Sequence, residues 1–235
     1  MDRDRVKPMT MTVISDPDHP QYDQLTQVDD LDAATLWALQ ARARQQKKGL
    51  IASVANPISR GFLADNGFES VNQTYFATLN IRDFSGEPVV PVADLDSDLQ
   101  TELVLLLRDH YERTHRFNPP VANVDYSKWL FGHQDFDPEY SIVRLAKQHV
   151  VAAILVFKAD DQYELQWTFG DDVTTLHELW RDLLGILPVG SRLQAVFEST
   201  DVLAMSVYEM FNWHDTQPVQ TTMIWRDTAN NLRII

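Results

Sequence analysis

The sequence predicts an α/β (α+β) protein, with mixed central sheets flanked by helices and two units in one chain. Three observations carry that prediction. Apolar runs of strand length alternate with longer segments of helical period. A turn-rich, acidic stretch, DFSGEPVVPVADLDSD at residues 83–98, interrupts the pattern. A short helix-and-exit pattern that opens at Asn56 returns at Asp201. The expected division is a first unit over residues 1–82, a linker over 83–92 and a second unit over 93–235.

In the first unit, residues 30–49 read as one helix. Asp30 or Asp32 can cap its amino end, and Ala, Leu, Trp and Gln fill the middle. Arg42, Arg44, Lys47 and Lys48 fall where the helix dipole favours cations, and Gly49 is the expected stop. LIASVA then reads as a buried strand, residues 57–66 as a short helix and 70–81 as a strand.

The second unit opens with an amphipathic helix over 97–116, with Leu99, Leu103, Leu106 or Leu107, and Tyr111 at helical spacing. Three strands follow: YSIVRLA, HVVAAILVFKA and DQYELQWTF, the first two joined by a hairpin at Lys147-Gln148. A helix over 172–184 has an Asp cap, apolar positions at Leu176, Leu179, Trp180 and Leu183, and Gly185 as its expected stop. RLQAVFES is a strand, 202–211 a short helix and 217–226 the last strand.

Composition removes several function classes. The chain has 235 residues and no cysteine, which excludes disulfides, thiolate nucleophiles and Cys-ligated zinc. Its seven histidines form no HExxH pair, and its eight glycines no Gly-x-Gly. There is no Gly-x-Ser-x-Gly elbow and no basic-aromatic patch. The start, MDRDRVKPMTMT, lacks an apolar leader, and no run approaches the roughly 20 residues of a membrane helix; a cytoplasmic location is expected. Net charge is −14 and uneven: residues 1–82 hold 9 Lys+Arg and 10 Asp+Glu, residues 83–235 hold 11 and 24. An acidic half repels nucleic acid and anionic lipid and attracts a cationic amine; it also simply keeps a protein soluble.

At an offset of 145, Asn56 meets Asp201, Ser59 meets Ala204, Phe62 meets Val207, Leu63 meets Tyr208, Gly67 meets Asn212 and Phe68 meets Trp213. This is a diverged internal repeat. The pattern, Asn-x-x-Ser/Ala-x-x-apolar-Leu/Tyr-x-x-x-Gly-Phe between two strands, resembles the C-terminal motif of GNAT-family N-acetyltransferases. The order of elements in the second half is similar to that family as well. The resemblance covers roughly residues 30–81 and 93–227 and implies two GNAT-like units, the first truncated and the second near complete.

The resemblance implies acetyl-CoA as co-substrate, lying where the parallel strands DQYELQWTF and RLQAVFES splay apart. The matching cofactor-binding segment is Phe169, Gly170, Asp171, Asp172, Val173 and Thr174, with Asp201 and Ala204 on the following short helix. The family's loop, Gln/Arg-x-x-Gly-x-Gly/Ala, is absent here. Two aspartates stand where a pyrophosphate would meet the helix amides; each can instead cap that helix. Asp29, Asp30 and Asp32 repeat the conflict in the first half. Tyr208 matches the tyrosine that protonates the leaving thiolate, whereas the first half has Leu63 there. Glu164 and Glu198 are the candidate general bases. Arg116-Phe117-Asn118-Pro119-Pro120 falls where relatives build acceptor contacts, and its two prolines also suffice as a helix stop.

The expected activity is transfer of an acetyl group to a small amine or peptide amine. The rival is a catalytically silent scaffold used for ligand sensing or protein interaction. No nucleic-acid, membrane or metal partner is expected. The first half would imitate a dimer partner within a monomer, or the chain would form a homodimer.

Overall fold

A computed structural model describes residues 13–159 and 162–227. In chain order it has β1 (Val13–Ser15), β2 (Tyr22–Leu25), α1 (Ala33–Gln46), β3 (Gly49–Val54), α2 (Pro57–Asp65) and β4 (Glu69–Asn80). There follow β5 (Val90–Pro91), α3 (Ser97–Thr114), α4 (Tyr126–Leu130), β6 (Ile142–Ala146), β7 (His149–Ala159) and β8 (Gln162–Gly170). The chain closes with α5 (Val173–Ile186), β9 (Arg192–Glu198), α6 (Val202–Met210), β10 (His214–Asp215) and β11 (Gln220–Trp225).

Two compact units form, and neither is contiguous in sequence. Of the described residues, unit 1 comprises 13–71, 118–121 and 220–227; unit 2 comprises 72–117 and the described residues between 122 and 219. The last strand therefore does not stay with residues 93–219, as a linear division at 83–92 expects. The chain passes from unit 1 to unit 2 within β4.

Unit 1 is a sheet in the order β1-β2-β3-β11, with β2 and β3 parallel and the outer pairings antiparallel. Leu36 of α1 and Leu63 of α2 pack on it with Leu50, Met223 and Trp225. Asp32 caps α1, its Oδ1 accepting from Thr35 N at 2.7 Å. The helix ends not at Gly49 but at Lys47, which takes the left-handed conformation (φ 56°), while Gly49 opens β3. The glycine is needed there because a Cβ would lie 2.5 Å from the Tyr22 ring. Asn56 caps α2 by accepting from Ile58 N, and Pro57 fills the first helical position. Gly67 (φ +84°) then ends α2 in a Schellman turn, with Phe68 N donating to Leu63 O and Gly67 N to Ala64 O.

Unit 2 is a sheet in the order β4-β9-β8-β7-β6-β5, with β10 added on β4. Only β8 and β9 are parallel. On one face, α5 and α6 cover Phe197, Leu193 and Ile154 with Trp180, Leu183 and Val207. On the other, Leu103 and Leu107 of α3 and Leu130 of α4 cover Val143, Leu155 and Phe169. Because both faces are covered, Ala152 through Phe157 are all buried, and β7 reads as an unbroken apolar run. Helix α5 runs through Gly185, which is not its stop. A Cβ at Gly185 would sit 2.7 Å from Gly86 N, so this glycine admits the connecting loop against the helix.

The two short helices of the expected repeat are both capped by a side-chain oxygen at their amino ends and differ at their exits. Asp201 caps α6 as Asn56 caps α2. At its carboxyl end, however, Phe211 is extended and Asn212 is not left-handed, so Gly67 has no conformational counterpart. The Trp213 indole donates to Val207 O instead.

Lys147 (φ 50°) and Gln148 (φ 65°) are both left-handed and form the predicted β6–β7 hairpin. Non-glycine residues pay roughly 1 kcal/mol each in that conformation. Replacing the pair by Asn-Gly is expected to raise unfolding stability by about 1 kcal/mol, read as a higher urea midpoint at unchanged slope.

Candidate functional site

The central feature of unit 2 is a parallel pairing that stops early. β8 and β9 register over three pairs only: Tyr163 with Leu193, Glu164 with Gln194, and Leu165 with Ala195. Beyond them the strands part. The cause lies on the other side of β8, where Val156 pairs with Leu165 but Leu155 pairs with Trp167. Gln166 is thus an extra residue, and such a bulge bends its strand and increases local twist. The result is a V-shaped opening, with its vertex at Leu165 and Ala195. Its arms are Gln166–Gly170 and Val196–Glu198, whose facing backbone groups do not pair with each other.

Glu164 sits at that vertex and lines a cavity of about 120 Å³ with Gln166, Gln194, Val196, Phe76 and Thr216. Gln166 Nε2 lies 3.5 Å from Glu164 Oε2. Val196, half exposed, and Phe76 pair across β9 and β4 and give the cavity an apolar floor. The lining thus offers one carboxylate, several amide and hydroxyl groups, and no cation.

Glu198 faces the same way as Gln194 but four residues further along β9. At roughly 3.3 Å per residue that is about 13 Å, so Glu164 and Glu198 cannot serve one reacting atom. Glu198 instead pairs with His115 on α3, Nε2 to Oε2 at 3.3 Å. One turn earlier on α3, buried His110 spans to Asp201, Nε2 to Oδ2 at 3.0 Å. Arg113 approaches its Nδ1 at 3.3 Å, so those partners assign the neutral Nε2–H tautomer. The His110 ring stacks on Phe169 of β8 with centroids 5.1 Å apart. Two histidine–carboxylate links therefore tie α3 to the end of β9 and the start of α6. The sequence shows both histidines but nothing that aligns them with Asp201 and Glu198, 91 and 83 residues further on.

Tyr208 packs on one arm of the opening at Phe197, with its hydroxyl engaged elsewhere. Its hydroxyl donates to Asp215 Oδ1 at 2.7 Å, and its ring lies against Tyr75 and Phe197. These partners belong to β10, β4 and β9, on the side of β9 opposite β8. The hydrogen bond to the Asp215 carboxylate, reinforced by partial burial, pushes the phenol up to about 12.

At the start of α5, Asp172 Oδ1 accepts from Thr175 N at 2.9 Å and Oδ2 from the Thr175 hydroxyl at 2.8 Å. The Thr175 amide and hydroxyl hold the Asp172 carboxyl below its usual range. Asp171 N is committed to Val151 O, and Gly170 packs on Ala152. Val173 and Thr174 are exposed in the first turn. Asp201 Oδ1 accepts from Ala204 N at 3.1 Å, and Ala204 itself is buried. One amide that would meet a pyrophosphate at α5, Thr175 N, thus already donates to the Asp172 carboxylate, whose negative charge opposes that part of a coenzyme A molecule. Unit 1 repeats the arrangement: Asp32 caps α1, and Asp29 Oδ1 accepts the Ser59 hydroxyl at 2.5 Å.

The Tyr208 partnership has a pH signature. A phenol held protonated up to about 12 stabilises the fold fully below its ordinary value near 10, and that contribution is lost as pH rises through the folded value. In an alkaline ultraviolet titration of folded protein, Asp215→Asn is expected to move the Tyr208 transition back towards 10 and to leave Tyr22, which burial also raises, where it is.

No protein-family model matches the chain, and no curated protein does. Solved structures do match. A GCN5-related N-acetyltransferase from Sphaerobacter thermophilus is 11% identical with a TM-score of 0.63, over 91% of this chain and 75% of that one. A conserved protein of unknown function from Staphylococcus epidermidis is 10% identical with a TM-score of 0.56, over 88% and 85%. A GCN5-related N-acetyltransferase from Kribbella flavida is 13% identical with a TM-score of 0.51, over 89% and 83%. By these matches the chain has the fold of the GCN5-related N-acetyltransferases.

Proposed function

We propose that unit 2 transfers an acyl group, acetyl in the simplest case, from a thioester such as acetyl-CoA to the nitrogen of a small amine. The observation that carries this reading is the vertex of the β8–β9 opening, where the arms can receive an extended thioester and Glu164 faces a polar cavity. The amine nitrogen attacks the thioester carbonyl, the C–S bond breaks, and Glu164 takes the proton that the nitrogen sheds. The departing thiolate is protonated from solvent, since the Tyr208 hydroxyl is turned towards Asp215. A cation-free lining in an acidic unit favours an amine without a neighbouring carboxylate.

A second reading, a scaffold that binds no thioester, is favoured by one specific contact: the Asp172 carboxylate on Thr175 N. Calorimetry with acetyl-CoA and free CoA separates the two. Under the transferase reading acetyl-CoA binds saturably, and Glu164→Gln keeps that binding while lowering turnover of accepted amines by about 10²-fold or more. Asp172→Ser, which keeps a cap without the charge, is expected to tighten binding by about tenfold. Lack of saturable binding at about 1 mM donor, in wild type and Asp172→Ser alike, would leave the scaffold reading.

A further inference from the structure

Away from the β8–β9 opening, unit 2 has a wider pocket of about 440 Å³ beside α5. It is lined by the loop Ser85–Glu87, by Arg144 of β6 and by Glu178, Arg181 and Asp182 of α5. That volume lies in the range of small-molecule sites.

The base of the pocket is built rather than incidental. Asp182 is only 4% exposed, and both its oxygens are used: Oδ1 accepts from Glu87 N at 2.8 Å and Oδ2 from Arg144 Nη2 at 2.6 Å. A buried carboxylate thus fixes one guanidinium and one loop amide at once. The loop is held from below as well, because a Cβ on Gly86 would lie 2.8 Å from Asp182 Cα. Arg144 remains one-third exposed, with its other N–H groups free to donate outward.

The remaining charges are unspent. Glu178 and Arg181 lie one turn apart, where opposite charges on a helix normally pair. Yet among the described residues the side chains of Glu178, Arg181 and Glu87 make no ion pair or hydrogen bond. The pocket therefore presents two guanidinium groups and two carboxylates with a gap between them. An anion alone would meet the two glutamates, and a cation alone the two arginines. A small molecule carrying an ammonium and a carboxylate on one carbon satisfies all four.

We propose that this pocket binds a free α-amino acid, its carboxylate on Arg144 and Arg181 and its ammonium on Glu178 and Glu87. The orientation follows from Asp182, which preorganises Arg144 as the carboxylate partner. This site is independent of the acyl-transfer reading and stands if that reading fails.

The test is calorimetric titration of the full chain with glycine and L-alanine, and with acetate and methylamine as single-charge controls, each to about 10 mM. The expected result is saturable binding of an amino acid with at least tenfold weaker binding of both controls. Arg181→Gln and Glu178→Gln, both at exposed positions, are each expected to weaken amino-acid binding by about tenfold. Three results would overturn the proposal: no saturable binding by either amino acid, acetate or methylamine binding as tightly as L-alanine, or both variants binding as wild type does. Circular dichroism of the variants confirms that any loss is not unfolding.

Discussion

The geometry of unit 2 depends on one irregularity, the extra residue at Gln166 in β8. A regular strand would have continued its parallel ladder with β9, and each backbone amide would have found a partner across the gap. The bulge turns β8 away after three registered pairs, leaving an opening with a defined vertex. It also changes which residues face which layer. Before it, Glu164 points towards the open cavity; after it, Phe169 lies beneath α3 and stacks on His110. Cavity, stack and opening all follow from a single inserted position.

The opening is then fastened from outside. His110 and His115 reach from α3 to Asp201 and Glu198, so the end of β9 and the start of α6 are held without help from β8. β9 itself stays ordered past the vertex because β4 pairs along its whole length, out to Thr74 with Glu198, and the two imidazoles add to that hold. The imidazoles also separate the acidic residues by role. Glu198 and Asp201 are committed to imidazoles, whereas Glu164 has only a long contact to an amide on its own strand. Composition cannot make that distinction, because a carboxylate's role depends on what stands opposite it.

Helix capping and anion binding use the same unpaired amides. The chain resolves this competition the same way at four helices, where Asp32, Asp96, Asp172 and Asp201 each place a carboxylate on the amino end, while at α2 the neutral amide of Asn56 does so. These choices are visible in the sequence as Asp before an apolar helical run. Their consequence is also local, so a reader of sequence alone could infer the conflict with a pyrophosphate. Whether a thioester donor can bind by its extended arm without that end is a question of affinity rather than of fold.

By itself the sequence determined what depends on near neighbours. The helix starts, the alternation of strands and helices, the Lys147-Gln148 hairpin and the side-chain caps at Asn56 and Asp201 all rest on spacing and local propensity. It misplaced the two glycine stops, because Gly49 and Gly185 are small for the sake of Tyr22 and Gly86, which local periodicity does not see. Only the tertiary structure decided where the return strands go. β3 and α2 lead into β4, which pairs with β9 in unit 2, while β9 and α6 lead towards β11, which pairs with β3 in unit 1. The physical reason is that strand pairing is selected by register and by burial of a whole face, both summed over residues far apart in the chain. The same holds for the site: Glu164, Glu198 and Tyr208 were legible as residues, but their separation was set by a bulge, two distant histidines and Asp215.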